Sequence, residues 1–481
     1  MGEYTLERMT DIAIALSAEK DIDVLLDRIL NEAMDITSCD GGTVYILEGD
    51  KLYFRNVITK SKGTYFGGPG NPEPPMPPIT LARTHVCACA AIDNRKINIE
   101  DVYFSEEFDF TGAKRFDESA GYRTGSMLVL PMEDEKDRVI GVLQLINAQN
   151  EAGERIAFDP KYEDIISALT SLAAVSLNNR RLLKSVQDIL HSFVEVMVEA
   201  VDARSSYNAN HTRHMVRYAE KFIDYCHEKN ITNVVNPEKE DPFLMSVWLH
   251  DIGKLVIPLE VMDKQSRLGD REETVRNRFI IGMLQERLRA FEKPDEKQAA
   301  LENEQKLKDA LTLIEAANNA GFLPDEKIEE LKKLGDLTCI GADGQSIPIL
   351  TEEEMKGITV QKGTLTAEER SIIESHVVYT AKMLEKMKFD GDYAEVPGWA
   401  SDHHEHLNGT GYPNHKKDGE IPPEVRLITI IDIYDALTAE DRPYKPAMPK
   451  DRAIKILREM IGEGKLDGDL VELFVESKAW E

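Results

Sequence analysis

The chain has 481 residues, too many for one ordinary hydrophobic core, so two domains joined by a connector are expected. Hydrophobic residues make up 42% of it. No stretch approaches the roughly 18 to 20 uninterrupted apolar residues that a membrane span requires. The formal charge of −29 argues against binding to nucleic acid polymers or anionic membranes. An anionic substrate would therefore need local positive charge, which bound metal ions supply.

The N-terminus and the cysteines favour the cytoplasm. The first residues lack the basic-then-apolar pattern of a secretory signal. The 5 cysteines are scattered and odd in number, which fits a reducing compartment rather than a disulfide framework. Of the 11 histidines only His85 precedes residue 190, so the chemistry is expected in the second half of the chain.

The first part of the chain alternates between helical and strand periodicity. Residues 5–37 predict two amphipathic helices, and the Gly- and Pro-rich segment 61–80 is predicted to be loop. These elements indicate a small α+β domain over residues 1–160. The predicted strands are 43–47, 52–57, 126–132 and 139–147, with a hairpin at Gly49-Asp50 joining the first two.

This domain resembles a GAF domain, a small-molecule sensor. The resemblance rests on the order of the elements and on three segments, Asn98–Asp101, Gly121–Met132 and Val139–Asn147. It implies a small ligand whose identity stays open. Cys87 and Cys89 lie near a histidine, which leaves haem or redox sensing possible, but a buried helix with small apolar cysteines is favoured.

Residues 161–201 are predicted to form one long connecting helix. Its apolar residues follow the steps of four and three that are typical of a two-stranded coiled coil. We therefore expect a homodimer through this helix, and the alternative is a helix that packs its stripe on its own two domains. The predicted seam is Ile165, Leu169, Leu172, Ser176, Asn179, Leu183, Val186, Leu190, Phe193 and Met197.

Residues 202–481 are expected to form an all-α domain with an insertion at 265–362. The insertion contains charged helices with apolar stripes, but no chemical motif. One of these stripes comprises Phe279, Met283, Leu284 and Leu288.

The first chemical motif is His250-Asp251, followed by Gly253 and Lys254. Adjacent His and Asp offer an imidazole nitrogen and a carboxylate to one point in space, and the carboxylate can bridge two ions. The glycine allows the backbone to approach closely, and the lysine brings a cation to an anionic ligand.

The second motif is His403-His404-Glu405, which precedes a glycine-rich loop ending in Tyr412-Pro413. Two consecutive histidines are seldom both satisfied in a core, because each needs its own polar partners. Glu405 has two interpretations that remain open: it orients one of the imidazoles, or it caps a backbone amide of the loop.

Single residues complete the candidate set. Asp432 follows an apolar run, where an acid is costly to bury, and Asp435 lies one turn later as a partner or a cap. His211 and His376 each sit on a predicted helix, where a lone histidine is more often a core residue than a ligand. His214 competes with His211 for the same role.

Together these motifs resemble an HD-GYP domain, a subgroup of the HD metal-dependent phosphohydrolases that degrades cyclic di-GMP. The family resemblance implies an all-α helical bundle. It covers residues 181–264 and 362–460 and is carried by His250–Lys254, Lys362–His376, His403–Pro413 and Asp432–Lys445.

The resemblance also implies a centre with two divalent metal ions, and ligation without thiolate suits iron or manganese. Lys254 would contact a phosphate oxygen, and Arg442 and Lys445 would reach the rest of the substrate. One ion would be held by His211, His250, Asp251 and Asp432, and the other by Asp251, His376, His403 and His404.

Three features depart from the family pattern. The insertion at 265–362 replaces a short loop, one extra residue precedes Arg442, and Tyr207 stands where some members have a glutamate that recruits a third metal. Two ions are therefore expected rather than three.

The expected activity is hydrolysis of cyclic di-GMP to pGpG under control of the sensor domain, and further cleavage to GMP is left open. Two metal ions would activate a water for in-line attack on phosphorus, so no protein nucleophile is needed. The alternatives are another cyclic dinucleotide, such as cyclic GMP-AMP, or a non-catalytic signalling module that binds a partner protein.

Overall fold

The computed structural model describes residues 12, 14, 15, 19, 21–204, 210–439 and 447–481. The chain divides into two compact units between Ile189 and Leu190. The elements of the first part are α1 (Ile22–Thr37), β1 (Cys39–Glu48), β2 (Lys51–Thr59), β3 (Thr64–Phe66), β4 (Ile79–Thr80), α2 (Val86–Asp93), β5 (Ile97–Ile99), α3 (Thr111–Ala120), β6 (Met127–Glu133), β7 (Val139–Gln149), β8 (Arg155–Ile156) and α4 (Lys161–Arg204).

The first unit is built on an antiparallel sheet with strand order β3-β2-β1-β7-β6-β5, to which β4 and β8 add short edges. Side chains alternate across it, so Val44 packs with α1 and α4 on one face while Tyr45 packs with α2 on the other. Helix α1 starts at Asp21, whose side chain accepts the amides of Asp23 and Val24. This α+β fold confirms the predicted class.

The structure agrees with one local prediction for this unit, the helix of buried cysteines, and contradicts another, the loop at 61–80. The helix that carries Cys87 and Cys89 is present and both thiols are buried, and burial raises the pKa of Cys87 to about 12. The prediction that 61–80 is loop throughout is wrong, because Thr64–Phe66 and Ile79–Thr80 pair with β2. Backbone pairing at a sheet edge overrides the local glycine and proline content there.

Helix α4 has 44 residues and confirms the long connecting helix. Its first part, with Leu169 and Leu177, is buried in the core of the first unit. The predicted coiled-coil seam is therefore wrong at Leu169, where the alternative of packing on the chain's own domain applies. Further along, Leu183, Val186 and Phe193 of the seam are 52% to 63% exposed. The predicted seam is also wrong at Leu190 and Met197, which pack against a core cluster of the second unit.

The second unit is helical, as predicted. Its main core joins α5, α6, α15, α16 and α17. Not one helix of the described residues combines the length and apolar character that crossing a membrane requires. The elements are α5 (His211–Lys229), α6 (Glu240–Leu249), α7 (Leu259–Met262), α8 (Glu272–Glu292), α9 (Lys297–Asn318), α10 (Asp325–Lys332), β9 (Thr338–Ile340), β10 (Ser346–Pro348), α11 (Glu352–Ile358), α12 (Ala367–Glu374), α13 (His376–Leu384), α14 (Val396–Ser401), α15 (Pro423–Thr438), α16 (Lys450–Gly462) and α17 (Gly468–Ser477).

Helices α8 to α11 and the β9–β10 hairpin enclose a core of their own within the second unit. Arg267, 1% exposed, ties this subdomain together, because its guanidinium donates to the carbonyls of Val360 and Ala317. The predicted apolar stripe of α8 is divided between the core and the surface. Phe279 is fully buried, whereas Leu284 and Leu288 are 56% and 55% exposed.

Candidate metal centre

The His-Asp motif lies where α6 ends. His250 and Asp251 follow Leu249 and are 0% and 5% exposed, and a short 3-10 turn, Ile252–Val256, comes next. A histidine and an acid so deeply buried require specific partners, because their polar atoms have lost contact with water.

The structure brings together the side chains of all seven predicted ligands. They come from segments that span more than two hundred positions of the chain, and their ligand atoms form three overlapping trios in which the atoms lie within 4.8 Å of one another. His376 stands at the first position of α13, and Asp432 lies in α15. The trios are His211, His250 and Asp432; His250, Asp251 and His403; and His376, His403 and His404.

The carboxylate of Asp251 lies between two groups of histidines. Its Oδ2 atom is 3.3 Å from Nε2 of His250 and 3.8 Å from Nε2 of His211. Its Oδ1 atom is 3.3 Å from Nε2 of His376 and 4.0 Å from Nε2 of His403. Each oxygen thus faces a different pair of imidazoles, which is the arrangement that a carboxylate bridging two cations requires.

Asp432, in α15, faces two further histidines of the cluster. Its Oδ1 atom lies 3.3 Å from Nε2 of His211, and its Oδ2 atom lies 3.6 Å from Nδ1 of His404. Asp435, one turn later, is bonded at 2.6 Å to Nδ1 of His211 and lies 3.3 Å from Nδ1 of His214. Asp435 is therefore a partner of His211, and His214 contacts that same aspartate.

Three of the imidazoles are oriented by their own backbone. Nδ1 of His250, His376 and His403 lies 2.7 to 2.8 Å from the carbonyl oxygen three residues earlier in each case. A carbonyl only accepts, so Nδ1 carries the proton and Nε2 presents its lone pair. Each of these Nε2 atoms is buried and has no hydrogen-bond partner among the described residues. Unprotonated, orphaned nitrogens around a carboxylate fit a metal centre.

The electrostatics of the cluster agree with this fit. Burial favours the neutral carboxyl, yet the positive charge of Lys254 and the electrostatic effect of the neighbouring His250 hold the pKa of Asp251 well below its usual range. Burial lowers the pKa of His404 to about 4 and holds that of His403 well below its usual range, so both imidazoles are neutral near pH 7. Burial also opposes charge on His211, but its bonds to Asp432 and Asp435 raise its pKa to about 10. A cation binding at His211 would therefore displace a proton.

Two of the remaining predicted residues, Lys254 and Glu405, are described by the structure. Nζ of Lys254 lies 2.6 Å from Oδ2 of Asp251. Both oxygens of Glu405 accept backbone amides of the loop, from Asn414 and Lys416, which is the capping alternative. Arg442, Lys445 and Tyr207 lie outside the described residues.

Gly253 and Thr380 allow the ligand-bearing segments to lie in contact. A Cβ atom on Gly253 would lie 1.9 Å from the carbonyl oxygen of His376, so only glycine allows this approach. Thr380, 0% exposed, accepts the amide of Gly253 and donates to the carbonyl of His250, each at 3.0 Å. The close approach was predicted from the sequence. Thr380 was missed, because a lone threonine on a helix carries no signal.

Thr429 likewise ties two ligand-bearing segments together. Its hydroxyl, buried in α15, donates to the carbonyl of His403 at 2.7 Å, which ties the paired histidines to the helix of Asp432. Tyr412 lies over the outer histidine, with its ring centroid 4.8 Å from that of His404.

Comparison with known families defines the class of each region. The GAF domain family matches residues 21–177, and the HD domain family matches residues 353–470. The chain therefore carries a GAF domain followed by an HD domain, a metal-dependent hydrolase family. The HD match includes His376, His403, His404 and Asp432, and the structure adds the earlier half of the cluster to them. The domain boundaries at 160, 201, 265 and 362 stay predictions.

Several relatives are cyclic-dinucleotide phosphodiesterases, and others are cGMP-specific 3',5'-cyclic phosphodiesterases, such as one of Drosophila virilis that is 24% identical over 203 residues, 39% of this chain and 20% of the relative. A 3'3'-cGAMP-specific phosphodiesterase of Vibrio cholerae is 41% identical over 97 residues, 20% of this chain and 20% of the relative. A cyclic di-GMP phosphodiesterase of Pseudomonas aeruginosa is 31% identical over 159 residues, 32% of this chain and 34% of the relative. The chain thus spans about a third or less of each relative's length.

Among solved structures, a GAF domain/HD domain protein from Geobacter sulfurreducens is 15% identical with a TM-score of 0.26, covering 35% of this chain and 98% of that one. The GAF domain of an Acinetobacter phosphoenolpyruvate-protein phosphotransferase is 15% identical with a TM-score of 0.29, covering 38% and 99%. TM-scores this low support no argument, so the class of each region rests on the family matches.

Replacing Gly253 by alanine tests the close approach. The new Cβ atom must push the 3-10 turn away from His376, and we expect Gly253→Ala to lower the free energy of unfolding by roughly 3 kcal/mol. Metal content, measured by mass spectrometry of the purified protein, should fall with it. Gly398→Ala is the matched control, because a Cβ atom there meets nothing within 4 Å. Normal metal content in Gly253→Ala would contradict the prediction.

Thr380→Val tests the hydroxyl contact at constant shape. The variant leaves a buried amide and a buried carbonyl unpaired, which costs roughly 1 to 3 kcal/mol. Metal affinity, measured by competition with a chelator, should fall, and Thr380→Ser should restore it. Thr438→Val is the control, since that hydroxyl bonds only within its own helix, to Tyr434. Equal loss of affinity in both valine variants would refute a positioning role.

Proposed function

We propose that the chain is a cyclic-dinucleotide phosphodiesterase of the HD-GYP type that hydrolyses cyclic di-GMP to pGpG, with further cleavage to GMP as a second step. The observation that carries the proposal is the Asp251 carboxylate, whose two oxygens face different histidine pairs. Three of those four histidines, His250, His376 and His403, have buried Nε2 atoms without a hydrogen-bond partner among the described residues. The cyclic-dinucleotide phosphodiesterases among the relatives support the substrate class.

The proposed ligand sets divide the seven clustered side chains between two ions. Asp251 is shared, and iron or manganese is favoured because the donors are imidazole and carboxylate without thiolate. Two such cations, when bound, lower the pKa of a water and stabilise negative charge on the phosphoryl oxygens. One set is His211, His250, Asp251 and Asp432, and the other is Asp251, His376, His403 and His404.

The exposure of the side chains indicates where the substrate would approach. His250, His376 and His403 are at most 1% exposed and form the floor, whereas the side chains of His404 and Lys254 are 25% and 19% exposed. We assign Lys254 to a phosphate oxygen, because its ammonium stands at the open side of the centre.

The loop residues would shape the rest of the binding site. Tyr412 stacks near His404 and offers a ring face to a base. Glu405 fixes the loop by accepting two of its amides. Arg442 and Lys445 are proposed to bind the remaining phosphate or the bases of the substrate.

Two alternatives define the experiment. Cyclic GMP-AMP is a second candidate substrate, because relatives named for that ring match the chain alongside those named for cyclic di-GMP. A non-catalytic signalling module is the third, although it would not need seven metal-type side chains in one cluster.

The decisive assay offers cyclic di-GMP, cyclic GMP-AMP and cyclic di-AMP to protein loaded with manganese or ferrous iron, with products separated by chromatography. Wild type should convert cyclic di-GMP fastest. Asp251→Asn should bind fewer metal ions per chain and lose turnover, since its carboxylate serves both ions. No hydrolysis by wild type with any ring would favour the signalling module, and preferential turnover of another ring would correct the substrate.

Lys254→Met separates substrate contact from metal binding in the same assay. It should keep the metal content of wild type and lower kcat/KM by roughly 10²-fold, since one charge contact to the phosphoryl group is lost. Metal loss equal to that of Asp251→Asn would show that the lysine supports the ligands instead.

The connecting helix is proposed to join two copies and to carry a signal from a small ligand of the GAF domain. Its exposed apolar residues between 182 and 196 share one face of α4 at heptad spacing, and they are 52% to 66% exposed. They are Leu182, Leu183, Val186, Ile189, Phe193 and Val196.

Val186→Glu tests this seam. A buried, unpaired carboxylate at the centre of the seam should weaken association of the full chain in analytical ultracentrifugation, so that dimers persist only at higher protein concentration. Gln187→Glu, exposed and off the stripe, should leave the dimer intact. A chain that is monomeric before any change, or equally affected by both, would refute the seam.

A further inference from the structure

A second unpartnered apolar face lies on α8, in the subdomain that the proposed activity does not use. One side of this helix packs into the local core through Val275 and Phe279. The opposite side is exposed, and its apolar patch is large and contiguous, which is unusual for a surface helix. The exposed residues are Ile280 (40%), Ile281 (43%), Leu284 (56%), Leu288 (55%) and Phe291 (85%).

The spacing of these residues is that of a coiled-coil seam. Ile281, Leu284, Leu288 and Phe291 follow steps of three, four and three, so they occupy alternating core positions of a heptad. Asn277 extends the series by one step of four towards the N-terminus. Such a seam is satisfied by a second helix of similar pattern, and the most direct candidate is the same helix of another copy.

The charges beside the seam fit two parallel copies. In that arrangement Arg287 of one helix faces Glu292 of the other at the flanking positions, on both sides of the two-fold axis. Arg287 uses Nε to bind Glu304, and its side chain is still 64% exposed, which leaves its terminal nitrogens for another carboxylate. The other flanking positions bring Glu273 near Arg278, which is already bound within its own chain, and Ile280 near Gln285, so like charges never meet.

An antiparallel pairing fits less well. It would place Glu292 of one copy beside Arg278 of the other copy. That guanidinium is already bound to the buried Glu354 and to the carbonyl of Ile349, and it is only 21% exposed. The parallel arrangement is therefore the one that the charges favour.

We propose that α8 is a self-association surface, on which a second copy of this chain packs its own α8 in parallel through Ile281, Leu284, Leu288 and Phe291. At about 1.5 Å per residue the 21-residue helix is about 30 Å long, enough for a short seam of the weaker interface class. The insertion thus gives the second unit an association surface separate from the exposed stripe of α4.

The test uses the full chain with Val186→Glu, so that the α4 stripe does not mask the second surface. Sedimentation velocity over a concentration series should still show reversible dimers. Leu284→Glu with Leu288→Glu should weaken association at least tenfold. Phe322→Glu is the matched control, because Phe322 is 59% exposed on the same subdomain but lies off α8. A monomer at every concentration before the α8 changes, or equal weakening by the control, would overturn the proposal.

Two further variants test the parallel register. Arg287→Glu should weaken the dimer, and Arg287→Glu with Glu292→Arg should restore it. Phe291→Cys should form a disulfide between copies under oxidation, because parallel seams place equivalent residues side by side, and the native cysteines are all buried. Association that ignores the charge reversal and yields no such disulfide would show that α8 binds something other than its own copy.

Discussion

The second unit is organised around the Asp251 carboxylate, buried among imidazoles. A buried charge is costly unless it is paired, and here Lys254 pairs with it while four histidines on separate segments face its two oxygens. Each of those segments must therefore reach one point. That requirement explains why the glycine after the motif cannot carry a side chain, since the helix of His376 contacts the turn at that place.

The cluster is held by contacts that involve no ligand atom. Thr380 and Thr429 each bind the backbone carbonyl of a histidine across an interface between segments, and Glu405 fixes the loop that follows the paired histidines. Because backbone carbonyls also orient three of the imidazoles, ligand geometry is set mainly by main-chain positions. Small shifts of a helix would therefore move ligand atoms directly, which makes the centre sensitive to changes in the helices around it.

The sequence predicted the class of both units, and the family resemblance carried by the paired motifs implied the seven residues that converge. His211 and His376 alone would not have been selected, because a lone histidine on a helix is more often a core residue. It did not distinguish the two faces of amphipathic helices. Leu169 has the same heptad spacing as Val186, yet one is buried by its own domain and the other is exposed. Periodicity identifies an apolar face but not what covers it, and single hydroxyl contacts such as that of Thr380 arise only from tertiary packing.

The exposed stripes of α4 and α8 have a common physical consequence. Each leaves large apolar side chains in water, which destabilises an isolated chain relative to an associated one by about 25 cal/mol for each Å² that association would bury. The charges flanking α8 favour its own copy, and the heptad spacing of α4 favours the same kind of partner. Association through either stripe would limit how the helices bearing these residues move, and the metal cluster is built from the same helical unit as α8.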